Sequence, residues 1–167
     1  MHRKLLLFTF ITLTFTASSF AQRAPSVASK PVVVKTKQQV TDMYRELEKK
    51  DGNTNVDIVP QPGTQMRVAL FHDTKREGDN FELHDGSDDI YYVLEGKATL
   101  YLGGSLSEPK EISPGEWRSK TATGGNQVAI AKGDLIVVPR GTVHQRTVTG
   151  KGFSMILIKV FAETAKP

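Results

Sequence analysis

From Val56 onward, short apolar runs alternate with turn-forming clusters at close intervals. The clusters lie at Pro60–Gly63, Glu77–Asn80, Asp85–Asp88, Gly103–Gly104, Gly124–Asn126, Lys132–Asp134, Pro139–Thr142 and Gly150–Gly152. Gly, Pro, Asn and Asp punctuate strands because they accept backbone angles that other residues resist. Strands repeated in this way predict a sandwich or a closed barrel. Ile90–Leu94 reads as a strand ending in a turn at Glu95 and Gly96, and Leu135–Val138 as another. Phe153–Phe161 is apolar almost throughout, which predicts a strand buried on both faces.

The first third of the chain has a different pattern. Gln38–Lys50 places Val40, Met43, Tyr44 and Leu47 at helical spacing, with a stop at Asp51, Gly52 and Asn53. A single helix of this kind has one face to bury, on the outside of the barrel or across to a second subunit. Pro31–Lys35 is a β-branched run that predicts an edge strand, and Gln22–Lys30 reads as a tether. Between Gly103 and Gly125 lies a polar segment too long for a plain connection, which predicts a functional or mobile loop. Its Trp117 either pins that loop to the barrel or stacks on a substrate.

The first 21 residues form a leader pattern: basic His2, Arg3 and Lys4, an apolar core from Leu5 to about Phe15, then small residues at Ser19 and Ala21. The core is shorter than the roughly 20 residues a bilayer span needs. The expectation is a signal peptide cleaved before Gln22, with a protein exported to the periplasm or secreted and no membrane association after cleavage. The domain plan is then a signal peptide at 1–21, an arm and helix at 22–55 and a barrel at 56–167.

Composition narrows the function. Cleavage removes Arg3 and Lys4 and no acidic residue, so the net charge of +4 falls to +2. That balance, with basic residues scattered along the chain, excludes a nucleic-acid partner. There is no Cys, which rules out disulfides, thiolate metal sites and a cysteine nucleophile. No Gly-rich phosphate loop, nucleophile elbow or HExxH sequence is present.

Two stretches carry the chemistry: FELHDGSDDIYYVLEG at Phe81–Gly96 and GDLIVVPRGTVH at Gly133–His144. Together they resemble the two motifs of the cupin superfamily, G-x5-H-x-H-x3–4-E-x6-G and G-x5-P-x-G-x2-H-x3-N. Gly133, Pro139, Gly141 and His144 fit the second, with Val148 in place of its last Asn. In the first, Gly96 closes the motif and His84 takes the second His place. Asp89 stands where the family has Glu, and Glu82 where it has the first His. Arg76 occupies the place of the opening Gly, with Gly78 nearby. The resemblance covers roughly residues 64–162 and implies an all-β fold, the double-stranded β-helix or jelly-roll barrel, with one N-terminal helix outside it. It also implies paired barrels, and with the apolar helix face it leads to the expectation of a homodimer in which Pro31–Gly52 takes part.

Strand alternation shows how the candidate ligands could converge. Glu82 and His84 share one face of their strand, and Asp89, Tyr91 and Val93 share one face of the next. His144 and Arg146 share a face of the strand that follows the Pro139–Thr142 turn. Two His and a carboxylate suit Fe, Mn, Ni or Zn with open positions. The expected metal set is His84, Asp89 and His144, with Glu82 as a further ligand or a catalytic base. Asp88 is the neighbouring alternative to Asp89, but the spacing to Gly96 favours Asp89. Arg146 is a candidate clamp for an anionic substrate, or a partner of Glu82 or Asp89 where no metal is bound. His72 has no partner spacing and is read as structural.

Two function classes remain open at this level. One is a metal-dependent enzyme of oxygenase, isomerase or lyase type acting on a small polar or anionic molecule. The other is a non-catalytic cupin, a ligand-binding or assembly module; the replaced His, the shortened carboxylate and the missing Asn point that way.

Overall fold

The computed structural model describes residues 25–28, 30–60 and 65–162. The leader, the Pro60–Gly63 turn beyond Pro60 and the last five residues lie outside them. The chain divides into two units, Met1–Val32 and Val33–Pro167. The described residues of the first contain no helix or strand. Among the described residues, all regular structure belongs to the second.

That unit opens with one helix, α1 at Lys37–Glu48. Thr36 caps it: its hydroxyl accepts from the Gln39 amide at 3.2 Å, and the Gln39 side chain accepts from the Thr36 amide at 2.9 Å. This reciprocal pair satisfies two amides that the first turn leaves free. Leu47 is buried, and Val40, Met43 and Tyr44 are half-buried. The helix packs against its own barrel, on strands β1 (Asn53–Val59) and β2 (Met66–Asp73). No strand forms over Pro31–Lys35: the segment is irregular, with Val32 89% and Val34 73% exposed, and no neighbouring strand takes up its amides.

The remaining strands are β3 (Phe81–His84), β4 (Ser87–Leu102), β5 (Ser105–Ser107), β6 (Lys110–Ser113), β7 (Glu116–Ser119), β8 (Thr121–Thr123), β9 (Asn126–Ala131), β10 (Leu135–Val138), β11 (His144–Thr147) and β12 (Phe153–Phe161). Every pairing among them is antiparallel. The long β4 joins two sheets. Its first half pairs with β12 and β10, its second half with β9 and β11. One sheet therefore runs β1-β2-β12-β4-β10, and the other runs from β9 and β4 through β11, β3 and β7 to β6. This is the all-β, antiparallel jelly roll that the resemblance implies, built from the strands that the turn spacing predicts.

Glu95 and Gly96 do not end a strand. Gly96 has φ +82° and pairs with Phe153, two residues beyond the point where the register of β4 shifts at Leu94. A Cβ there would lie 2.1 Å from the Gly152 carbonyl oxygen, so only Gly lets β4 bend this close to the chain entering β12. Where β4 bends, the core forms: Tyr91, Val93, Leu100, Phe153 and Met155 are buried together. Burying each side chain of this size contributes about 1.5–3 kcal/mol. β12 lies between β2 and β4 and is buried on both faces over Phe153–Met155.

The polar stretch Gly103–Gly125 is not a loop. It folds into β5 to β8, with β7 added to the edge of β3 and β5 paired with β8. Trp117 donates from Nε1 to Asp85 Oδ2 at 2.7 Å, which pins β7 beside β3. Arg76 and Val148, the two residues that break the ends of the motifs, meet in an isolated bridge, each amide donating to the other's carbonyl. His72 is buried, with Nδ1 2.9 Å from Ser154 Oγ.

Candidate metal centre

Three strands meet at the site: β3 and β4, which follow one another in sequence, and the distant β11. In β3 the side chains of Glu82 and His84 point into the barrel, with Leu83 between them facing outward. β11 pairs with β3 through His144 and Glu82, directly opposite one another. Asp89 enters from β4, which β12 holds from the other side through the pair Lys159 and Asp89.

Glu82, His84 and His144 offer ligand atoms that all lie within 4.8 Å of one another. His84 Nε2 is 3.7 Å from Glu82 Oε2 and 3.6 Å from Asp89 Oδ2. His144 Nε2 is 4.0 Å and 3.8 Å from the same two oxygens. All four residues singled out in the sequence therefore converge. Asp88, on the opposite face of β4, instead accepts from the Arg140 amide and guanidinium.

Both imidazoles are oriented from behind. His84 Nδ1 lies 2.6 Å from Glu116 Oε2, and His144 Nδ1 lies 2.9 Å from the Thr142 carbonyl oxygen. Each acceptor assigns the ring proton to Nδ1 and leaves the lone pair on Nε2. Both Nε2 atoms are buried and have no hydrogen-bond partner among the described residues. An unsatisfied buried polar atom is unfavourable by about 1–3 kcal/mol. Two such lone pairs aimed at a common carboxylate are the donor set a divalent ion requires, and a ring held by a carboxylate on its far nitrogen is the usual support for a metal-ligating His. The residues fit the ion.

Charges around the cluster differ from residue to residue. Burial works against ionisation of Asp89, but the neighbouring His84 imidazole and the Lys159 ammonium outweigh it and lower its pKa to about 2. Lys159 Nζ is 3.0 Å from Asp89 Oδ1, and the Tyr91 hydroxyl donates to Oδ2 at 3.2 Å. Burial raises the Tyr91 phenol well above its usual range, with the Asp89 charge adding to the effect. Burial lowers His144, against the Thr142 carbonyl and the nearby carboxylates.

Arg146 lies in the same cavity, of about 380 Å³, but pairs with neither Glu82 nor Asp89. Its Nε donates to Asp73 Oδ2 at 2.7 Å. Asp73 is fully buried, at the end of β2. Three site residues were not legible as such. Glu116 and Arg118 come from the stretch that reads as a loop, where their one available signal is the alternation of EWRS. Lys159 had a clearer one: it is the only charged residue in the apolar run Phe153–Phe161.

No family model matches the chain, and no curated protein matches it. Solved structures do. A protein named provisionally as a sugar phosphate isomerase, from Acidithiobacillus ferrooxidans, aligns at a TM-score of 0.50 and 18% identity over 78% of this chain and 76% of that one. The DMSP lyase DddQ from Ruegeria pomeroyi aligns at 0.48 and 16%, over 69% of this chain and 50% of its own, so the present chain spans half of that protein. The Cnp3 cupin domain from Schizosaccharomyces pombe aligns at 0.48 and 9%, over 66% of this chain and 61% of that one. The chain therefore has an antiparallel jelly-roll fold that a solved structure shares, with the two stretches that resemble the cupin motifs seated on it.

Proposed function

We propose that the protein is an exported, metal-dependent enzyme that binds one divalent ion through Glu82, His84 and His144, with Asp89 as the further carboxylate, and acts on a small polar or anionic molecule. The observation that carries this reading is the pair of buried, unpartnered Nε2 atoms converging on Glu82. A bound divalent ion supplies Lewis acidity and open coordination positions. Glu82 is half-exposed in the cavity, so its carboxylate is placed to take a proton from a substrate as well as to ligate. Arg146 is the candidate anchor for substrate. The reaction is of oxygenase, isomerase or lyase type.

The metal analysis is direct: chelate, reload with iron, manganese, nickel or zinc, and measure content by emission spectrometry. Wild type is expected to take up one ion per chain, and a protein carrying both His84→Ala and His144→Ala none. Equal content in the two places the site elsewhere. One observation favours the second reading, a non-catalytic ligand-binding or assembly module: Lys159 already offsets the charge of Asp89 at 3.0 Å. Wild type that takes up none of the four metals supports that module.

The leader lies outside the described residues, and export remains part of this proposal on the order of its basic, apolar and small-residue regions. Intact mass of the native protein beginning at Gln22 is the expected result, and retention of Met1–Ala21 overturns it. The partner is read as a second copy of the chain. Because α1 covers its own barrel, the surface assigned to that copy is the outer face of β10 and β4, where Leu135 (65% exposed) stands in register with Tyr92 (44%).

A further inference from the structure

The cavity beside the His pair holds five cationic side chains, and four of them each bond at least two partners, one or more of them acidic. Arg67 bonds Asp57 and Asn55, and Arg76 bonds Asp73 and Asp79. Arg118 lies against Glu82 and Glu116 and donates to the Trp117 carbonyl. Lys159 holds Asp89 and Ser87. Arg146 is different. Its Nε is taken by Asp73, yet neither terminal nitrogen has a hydrogen-bond acceptor among the described residues, although the side chain is only 9% exposed. The guanidinium is also held in place: its Cζ lies 6.0 Å from the Phe71 ring centroid and 5.7 Å from that of Phe153.

Resting on the functional reading above, we infer that Arg146 is a carboxylate subsite and that the ligand is a small monocarboxylic acid with an apolar stem. A guanidinium bound through Nε presents its two terminal nitrogens end-on, side by side, and that edge matches the two oxygens of one carboxylate. Charge selects between anions. The one available cation is already half-balanced by Asp73, so it suits a single negative charge and does not match a phosphate dianion, which needs a second free cation. The apolar stem follows from the apolar part of the same cavity's lining, Phe71, Tyr91, Met155 and Leu157, of which Phe71 lies against the guanidinium. The carboxylate then sits on Arg146 and the stem on this wall, which directs the far end of the molecule toward Glu82 and the His pair.

The test uses chelator-stripped protein, so a carboxylate cannot be held by metal, and three probes: butyrate, butyramide and butyl phosphate. Dissociation constants are read from amide chemical shifts during titration. Wild type is expected to bind butyrate at least 10-fold more tightly than either other probe. Arg146→Met alone would leave buried Asp73 with only the longer contact to Arg76, at 3.4 Å, so the variant to use is the double change Asp73→Asn with Arg146→Met, in which the preference for butyrate falls below 2-fold. Butyramide or butyl phosphate binding wild type as tightly as butyrate overturns the inference. So does a carboxylate preference that survives in the double variant. The wild-type ranking stands as a test even where the double variant does not fold. Failure of the metal reading is separate, because it appears as absent metal uptake and leaves this ranking intact.

Discussion

Glu116 Oε2 lies 2.6 Å from His84 Nδ1, on the side of the ring opposite to the cluster of ligand atoms. The two residues are paired across β7 and β3, so the backbone register itself sets the contact. Glu116 is thus a positioning residue: it holds the proton on Nδ1 and keeps Nε2 free as a donor toward the cavity. Loss of such a support typically lowers metal affinity 10–100-fold. Glu116→Gln should show a loss of about that size in a chelator competition, with an unchanged thermal unfolding profile of the stripped protein. An affinity equal to wild type would mean that the ring is oriented by packing alone.

The pH dependence of metal binding follows from His144. Because burial keeps its imidazole below the usual value of 6.5, the ring is still neutral where an exposed His is half protonated. Metal affinity is therefore expected to hold as pH falls through 6.5 and to drop only at more acidic values. In the stripped protein the sign is the same for stability. The unfolded chain takes up a proton that folded His144 refuses, so stability declines as pH falls below 6.5. Chelator competition at steps between pH 7.5 and 5 checks the first statement, and a midpoint at or above 6.5 contradicts it.

Asp89 contributes in a lower window. Its pKa of about 2, against 3.8 for the free group, means that its ionised form stabilises the fold fully above 3.8. That stability is lost as pH falls toward 2, and it amounts to about 2 kcal/mol. In metal-free protein, Asp89→Asn should flatten the decline of unfolding free energy between pH 4 and pH 2 by about that amount. Parallel acid-unfolding curves for the two proteins would remove Asp89 as a source of acid sensitivity.

Two glycines with positive φ separate backbone strain from close packing. Gly133 has φ +91° and open space where a Cβ would be, so Gly133→Ala should destabilise by only the conformational term, about 1–2 kcal/mol. Gly96→Ala adds the collision with the Gly152 carbonyl at 2.1 Å and should destabilise by about 3 kcal/mol or more. Urea unfolding of both variants measures the difference. Similar values would mean that the β12 entry moves aside readily.

For association, Leu135→Glu together with Val137→Glu places two charges on the exposed face beside Tyr92. Sedimentation velocity should then show monomer where wild type shows dimer. A dimer that persists in the double variant would locate the contact on another surface.

The sequence alone determined the strand-rich architecture, the single helix and the faces of the site strands. These depend on local rules: a two-residue alternation puts Glu82 and His84 on one side of β3, and Asp89 opposite to Asp88 on β4. The paired motifs carried the further step that His144 would join them. What the tertiary structure decided was partnership across long chain separations. Glu95 and Gly96 look the same locally whether the chain turns back or runs on; β12 and β9, which pair with β4 before and after this point, keep it in one continuous strand. The Glu116 stretch is too polar to announce a strand, and it becomes one because β3 offers an edge and the barrel closes over it. Arg146 could have faced several carboxylates, and the register of β11 and β2 brings it to Asp73. Hydrogen-bonded edges and buried counter-charges belong to pairs of segments, and no single segment encodes them.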